Sequence, residues 1–115
     1  MDTMTDTTRA PEDARVFYRD IKPYEAPAQL DELHGPHHGR VQLPINVYWG
    51  PTYTFDLANE SDVVEAYQAT LREGRTIDQV ELLNRDLLVT VWPELLLPVR
   101  VRSLWEGRFP ELAAA

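Results

Sequence analysis

The sequence predicts an α+β fold: an N-terminal irregular arm, a β-hairpin at about 41–57, then three or four packed helices. Two observations carry this. Val41, Leu43, Ile45, Val47 and Trp49 alternate with Gln42, Pro44, Asn46 and Tyr48, and a period of two places the five apolar side chains on one sheet face. Beyond residue 59 the apolar spacing becomes helical, so strands and helices are segregated along the chain and the helices are expected to cover one face of the sheet.

Residues 1–14 are polar, rich in Thr and Asp, and aperiodic; they are expected to form a disordered tail, leaving 15–115 as a single domain. The arm at 15–39 carries Pro23, Pro27 and Pro36 with Gly35 and Gly39, which forbid a long helix. Val16, Phe17, Tyr18, Ile21 and Tyr24 are available to pack on the domain. A short helical turn at Gln29–His34 would put Leu30 and Leu33 on one side. In the hairpin, Val41–Trp49 and Tyr53–Leu57 flank the turn signal Gly50-Pro51-Thr52, a three-residue loop. Pro44 cannot donate to a ladder, so the first strand is either an edge strand or broken at that point.

The first helix is expected over 62–73, capped by Asn59 or Ser61, with Glu60, Asp62 and Glu65 at its positive end. Val63, Val64, Tyr67 and Leu71 share one face, and Gly74 stops it. Thr76 reads as the next N-cap. Ile77, Val80, Leu83, Leu87, Leu88, Val91 and Trp92 form a stripe over 76–92, interruptible near Asn84 and ended or kinked by Pro93. Pro98 reads as the first residue of a final short helix with Val101, Leu104 and Trp105. Phe109-Pro110 closes the fold and Ala113–Ala115 is a frayed end.

The length of 115 residues fits one domain, and 43% apolar residues suit a buried core. Cysteine is absent, which excludes disulfides, thiolate metal sites and a thiol nucleophile. No apolar run approaches the roughly twenty residues of a membrane-spanning helix, and Met1–Arg15 offers no signal-peptide core. A soluble, cytoplasmic chain is expected. The net charge is −8. Acids outnumber bases in every third of the chain, so no basic arm is available to displace counterions from nucleic acid. Ten of the eleven bases are Arg and one, Lys22, is Lys.

Three groups invite chemical readings. His34, His37 and His38 are the only histidines. Imidazole binds zinc, copper and nickel, but a Gly- and Pro-bounded loop with two adjacent His matches no helical or finger spacing, so no metal site is assigned. Acid pairs at Glu12-Asp13, Asp31-Glu32 and Glu60/Asp62 lie in a tail, a loop and a helix N-terminus, where solvation and helix-end stabilisation account for them. Ser61 and Ser103 are the only serines, neither in a nucleophile-elbow setting, and the five glycines are too scattered for a phosphate loop. Catalytic residues and cofactors are accordingly none.

Trp105 sits among Arg100, Arg102 and Arg108. That set either stacks and charges a single-stranded nucleic acid or forms a helix whose Arg stems cover the ring and pair with Glu106 or Glu111; the second reading is favoured. The helices at 62–73 and 76–92 have helix-turn-helix spacing. The second, however, would present Asp78, Glu81 and Asp86 against a lone Arg85, a face that repels phosphate.

From Leu30 onward the chain resembles a group of small actinobacterial proteins. The residues that carry this are Leu30-Asp31-Glu32-Leu33-His34-Gly35-Pro36, Gly39, Val41-Gln42-Leu43-Pro44, Trp49 and Phe55-Asp56-Leu57. They continue through Tyr67, Leu71-Arg72-Glu73-Gly74, Leu83-Asn84, Leu87-Leu88 and Trp92-Pro93-Glu94-Leu95. The last are Leu97-Pro98, Val101-Arg102, Trp105-Glu106 and Phe109-Pro110-Glu111-Leu112. Such proteins are associated with genes for nucleotidyltransferase-like toxins of abortive-infection systems. The resemblance implies a partner or antitoxin role and brings no catalytic residue with it.

The expected function is a non-enzymatic protein-binding module, most concretely the antitoxin or inhibitory partner of a toxin or defence enzyme. An arm at 1–39 would order on the partner, and acidity would steer it to a basic cleft. Two alternatives stand beside it: a transcriptional regulator or nucleic-acid binder through the C-terminal Arg/Trp helices, and a self-assembling subunit, for instance a homodimer formed at the open sheet edge. The residues of the partner-binding surface are not fixed by the sequence.

Overall fold

The computed structural model describes residues 24–50 and 53–114; the expected tail and Val16, Phe17, Tyr18 and Ile21 lie outside them. The architecture is α+β. Among the described residues, two antiparallel strands, β1 (Arg40–Gln42) and β2 (Thr54–Asp56), precede five helices: α1 (Glu60–Glu73), α2 (Thr76–Leu82), α3 (Arg85–Val91), α4 (Val99–Arg108) and α5 (Pro110–Ala113). Short 3-10 turns occupy Leu30–Glu32 and Trp92–Glu94.

The hairpin is shorter than its alternation suggests. Arg40 pairs with Asp56, Val41 with Phe55 and Gln42 with Thr54. A three-residue loop would instead have set Trp49 opposite Tyr53 and Val47 opposite Phe55. The physical reason is Pro44. It has no N–H for the ladder, and its carbonyl accepts from both Val47 N at 2.9 Å and Tyr48 N at 3.0 Å, turning the chain out of the strand. The slip is even, so Val41, from the same face as Val47, takes the place opposite the fully buried Phe55. Past Pro44 the alternation no longer maps onto a sheet face. Val47 is buried, but Ile45 is 80% and Trp49 81% exposed, against the expectation that both belong to the core face.

In α1 the cap is Asn59, whose side chain accepts from Asp62 N at 3.0 Å, and Val63, Tyr67 and Leu71 are buried as the periodicity implies. The 76–92 stripe is two helices. Asn84 divides them because each of its polar groups serves a different neighbour. Its Oδ1 accepts from Leu87 N at 3.1 Å and caps α3, its N–H donates to Tyr67 Oη at 2.9 Å, and its Nδ2 donates to Gly35 O at 3.3 Å. Ile77 leaves the stripe and is 63% exposed. Thr76 is the first residue of α2 rather than its cap, which is Arg75. Both the N–H and the hydroxyl of Thr76 donate to Glu25 Oε1, at 2.7 and 2.8 Å, so a carboxylate distant in sequence does the work of a local cap. Pro98 precedes α4 as its N-cap, and Pro110 opens α5, which buries Leu112 within the stretch read as a closing segment.

The core gathers Phe55, Tyr67, Leu83, Leu88, Trp92, Val101, Trp105, Phe109 and Leu112. Trp105 lies between Trp92 and Phe109, ring centroids 6.3 and 5.5 Å away. Leu30 and Leu33 join this core from the expected helical turn. From Tyr24 to Pro36 the chain is therefore a strap that belongs to the domain, not an arm awaiting a partner. His34 N donates to Val80 O and Gly35 N to Leu83 O, at 2.9 and 2.8 Å, and Gln79 Nε2 donates to Glu25 O at 2.9 Å. Arg108 Nη1 donates to Ala26 O and Pro27 O, at 3.0 and 3.2 Å. At Gly39 the backbone has φ +93°, a left-handed conformation that favours glycine at the entry to β1.

Candidate functional site

The residues singled out by chemistry are mostly committed to structure. His34 Nδ1 lies 3.0 Å from Glu32 O, while His37 and His38 meet edge-on with ring centroids 6.3 Å apart. No group of three or more His, Asp or Glu suited to a metal ion occurs among the described residues. Glu32 closes its own turn by accepting from Gln29 N at 3.0 Å. Asp62 accepts from Asp56 N at 2.8 Å and from Tyr53 Oη at 3.2 Å, tying the start of α1 to β2. Glu12-Asp13 lies outside the described residues.

The Arg/Trp set resolves into packing. Trp105 is fully buried and Trp92 nearly so, so neither ring has a face left for a base. Arg102 lies over Trp92, its guanidinium carbon 5.0 Å from the ring centroid, and pairs with Glu106 at 3.4 Å. Glu106 also accepts from Trp92 Nε1 at 2.8 Å. The ring that an Arg stem covers is thus Trp92, not Trp105. Glu111 pairs with Arg85 at 3.3 Å, and Asp31 sits 3.9 Å from the same guanidinium.

An open hollow of about 340 Å³ is lined by Leu30, Asp31, Leu33, Asn84, Arg85 and Asp86. Its one cation, Arg85, is already neutralised by Glu111 and Asp31. Beside it, the Tyr67 hydroxyl is pushed up to about 12 by burial, partly offset by the bond from Asn84 N. It remains protonated near neutrality and serves as an acceptor, not a base.

A different surface stands out, and neither histidine nor serine chemistry marks it. The segment after Pro44 folds back through its two turn bonds, buries Val47, and leans Tyr48 edge-on against Phe55 with centroids 5.5 Å apart. Asn46 Nδ2 donates to Asp78 Oδ2 at 2.9 Å, fixing the segment to the start of α2. Tyr53 stacks edge-on against Phe55 at 4.7 Å. Its hydroxyl is pushed up first by the hydrogen bond to Asp62, then by the charges of Asp62 and Glu65. This anchored segment holds Ile45 and Trp49 in solvent, and Ile77 adjoins Asp78. The signal that could have found it is Pro44: a strand broken there gives the next apolar residues no sheet face to share. A second exposed apolar pair, Leu96 and Val99, flanks Pro98.

No helix among the described residues is long and apolar enough to cross a membrane. Comparison with protein-family models, curated proteins and solved structures finds no match to this chain.

Proposed function

We propose that this protein is a cytoplasmic, non-enzymatic binding module whose target is another protein. The observation that supports this reading is an ordered segment, pinned by Val47, Tyr48 and Asn46, that keeps Ile45 and Trp49 about four-fifths exposed. Holding two large apolar side chains in water costs on the order of 1.5–3 kcal/mol each relative to burying them, and large exposed apolar patches mark interaction sites. In line with the resemblance of the sequence, the partner is a toxin or defence enzyme of the nucleotidyltransferase-like kind, and the module is its antitoxin.

The test is an affinity pull-down of the tagged full chain from its native lysate, with mass spectrometry of the eluate and co-expression with the product of the neighbouring gene. A stoichiometric enzyme partner whose toxicity is neutralised is expected. An eluate holding bait alone, with toxicity unaffected, refutes the reading.

A further inference from the structure

We infer that the surface around Ile45 and Trp49 docks a protein segment that carries Lys or Arg beside apolar side chains. This rests on the binding-module reading and adds to it the place of contact and the chemistry of the partner.

The apolar part is Ile45, Trp49, Tyr53 and Ile77, respectively 80%, 81%, 46% and 63% exposed. Tyr48, next to Trp49, and Tyr53 both pack edge-on against Phe55, and two polar ties link the segments that carry these positions. The Asn46–Asp78 bond joins the neighbour of Ile45 to the neighbour of Ile77, and the Tyr53–Asp62 bond sets the phenol against α1. Charge fixes the kind of occupant. Asp78 and Asp62 take part in those ties, Glu65 lies within electrostatic reach of the Tyr53 hydroxyl, and Glu25 is close enough to Asp78 for their charges to interact. The charge of Arg75 also acts on Glu25. Among the described residues whose charges act on these groups, the carboxylates of Asp62, Glu65, Asp78 and Glu25 outnumber the Arg75 guanidinium, which gives the rim a negative field in a chain whose net charge is −8. A cationic segment is attracted there, whereas a second copy of this surface, a nucleic-acid backbone or an anionic membrane is repelled. Trp49 is the type of side chain that anchors such contacts. Glu65 is exposed on α1, so its charge is available without breaking a bond of the fold.

The full-length chain supplies its own reporter. Trp92 and Trp105 are buried and Trp49 is exposed, so acrylamide quenching reads Trp49. The experiment titrates the chain with two labelled amphipathic peptides of equal length, one of Lys and Leu and one of Glu and Leu, with anisotropy and quenching as readouts. Binding of the Lys/Leu peptide with protection of Trp49 is expected, weakened at least about tenfold in Trp49→Ala and severalfold in Glu65→Lys. No binding of the Glu/Leu peptide is expected. Circular dichroism confirms that both variants fold, since both positions are exposed.

Equal binding of the two peptides, or unchanged affinity in Trp49→Ala, overturns the proposal. So does a Trp49 already shielded in the free chain. Shielding that survives dilution and disappears on deleting residues 1–23 assigns the surface to the chain's own N-terminal segment; shielding lost on dilution assigns it to a second copy. If a partner captured in the native pull-down is held equally by Trp49→Ala, the binding-module reading stands and this surface fails. If no partner is captured, that reading fails independently of the peptide result.

Discussion

Replacing Gly35 by Ala tests whether the strap at 24–36 is part of the domain. A Cβ on Gly35 would lie 2.4 Å from both the carbonyl carbon and oxygen of Leu82 and 2.8 Å from Leu83 N. These are backbone atoms at the end of α2, which cannot rotate aside as a side chain could. The strap must therefore move off. Doing so strains or breaks Gly35 N to Leu83 O, His34 N to Val80 O and Asn84 Nδ2 to Gly35 O, bonds of 2.8, 2.9 and 3.3 Å. Overpacking strain of about 1–3 kcal/mol if the strap holds, or about 1 kcal/mol net for each of the three bonds if it lifts, gives an expected loss of about 1–3 kcal/mol. Part of the burial of Leu30 and Leu33 goes with it. Urea unfolding measures the loss, and limited proteolysis should show faster cleavage near residues 28–38 than in the parent chain. Gly107→Ala is the matched control. Gly107 lies in α4, with nothing within 4 Å of its added Cβ, so the same chemical change should stabilise by about 0.5–1 kcal/mol. If Gly35→Ala unfolds within about 0.5 kcal/mol of the parent, the strap does not pack against the end of α2 and the steric reasoning is refuted.

Asn84→Ala removes the cap of α3 and the bond to Gly35 O. A destabilisation of about 1–2 kcal/mol is expected, with Asn84→Asp recovering the cap portion, and thermal melts separate the two. Glu25 is held below its ordinary value of 4.5, first by the Thr76 backbone N–H and then by the Thr76 hydroxyl. A lowered folded value means the carboxylate adds stability above pH 4.5 that is lost as pH falls through the folded value. Glu25→Gln should therefore be less stable than the parent near neutrality and converge with it in acid; parallel stability curves across that range would contradict the Thr76 assignment. Trp49→Ala should change folding stability by less than about 0.5 kcal/mol because the ring is 81% exposed, which denaturant melts check directly.

Much of this fold is set by local pattern. The helical faces of α1 and α3, the Asn59 cap, the turn that buries Leu30 and Leu33, and the proline at the start of α4 are local matters. Each is set by spacing along a few residues, by side chains that hydrogen-bond their own backbone, or by a ring that fixes φ. The class, with a hairpin before packed helices, comes from the same periodicities. The tertiary structure decided what depends on partners far apart in sequence. Glu25 reaches across to Thr76, Tyr67 meets the backbone of Asn84, and Arg102 lies over Trp92 while Trp105 is enclosed. It also decided the hairpin register and with it the exposure of Ile45 and Trp49. Alternation states only which residues would share a face if a strand exists. Whether the strand continues past Pro44 depends on competition between a ladder lacking one donor and a turn that satisfies two, and here the turn wins.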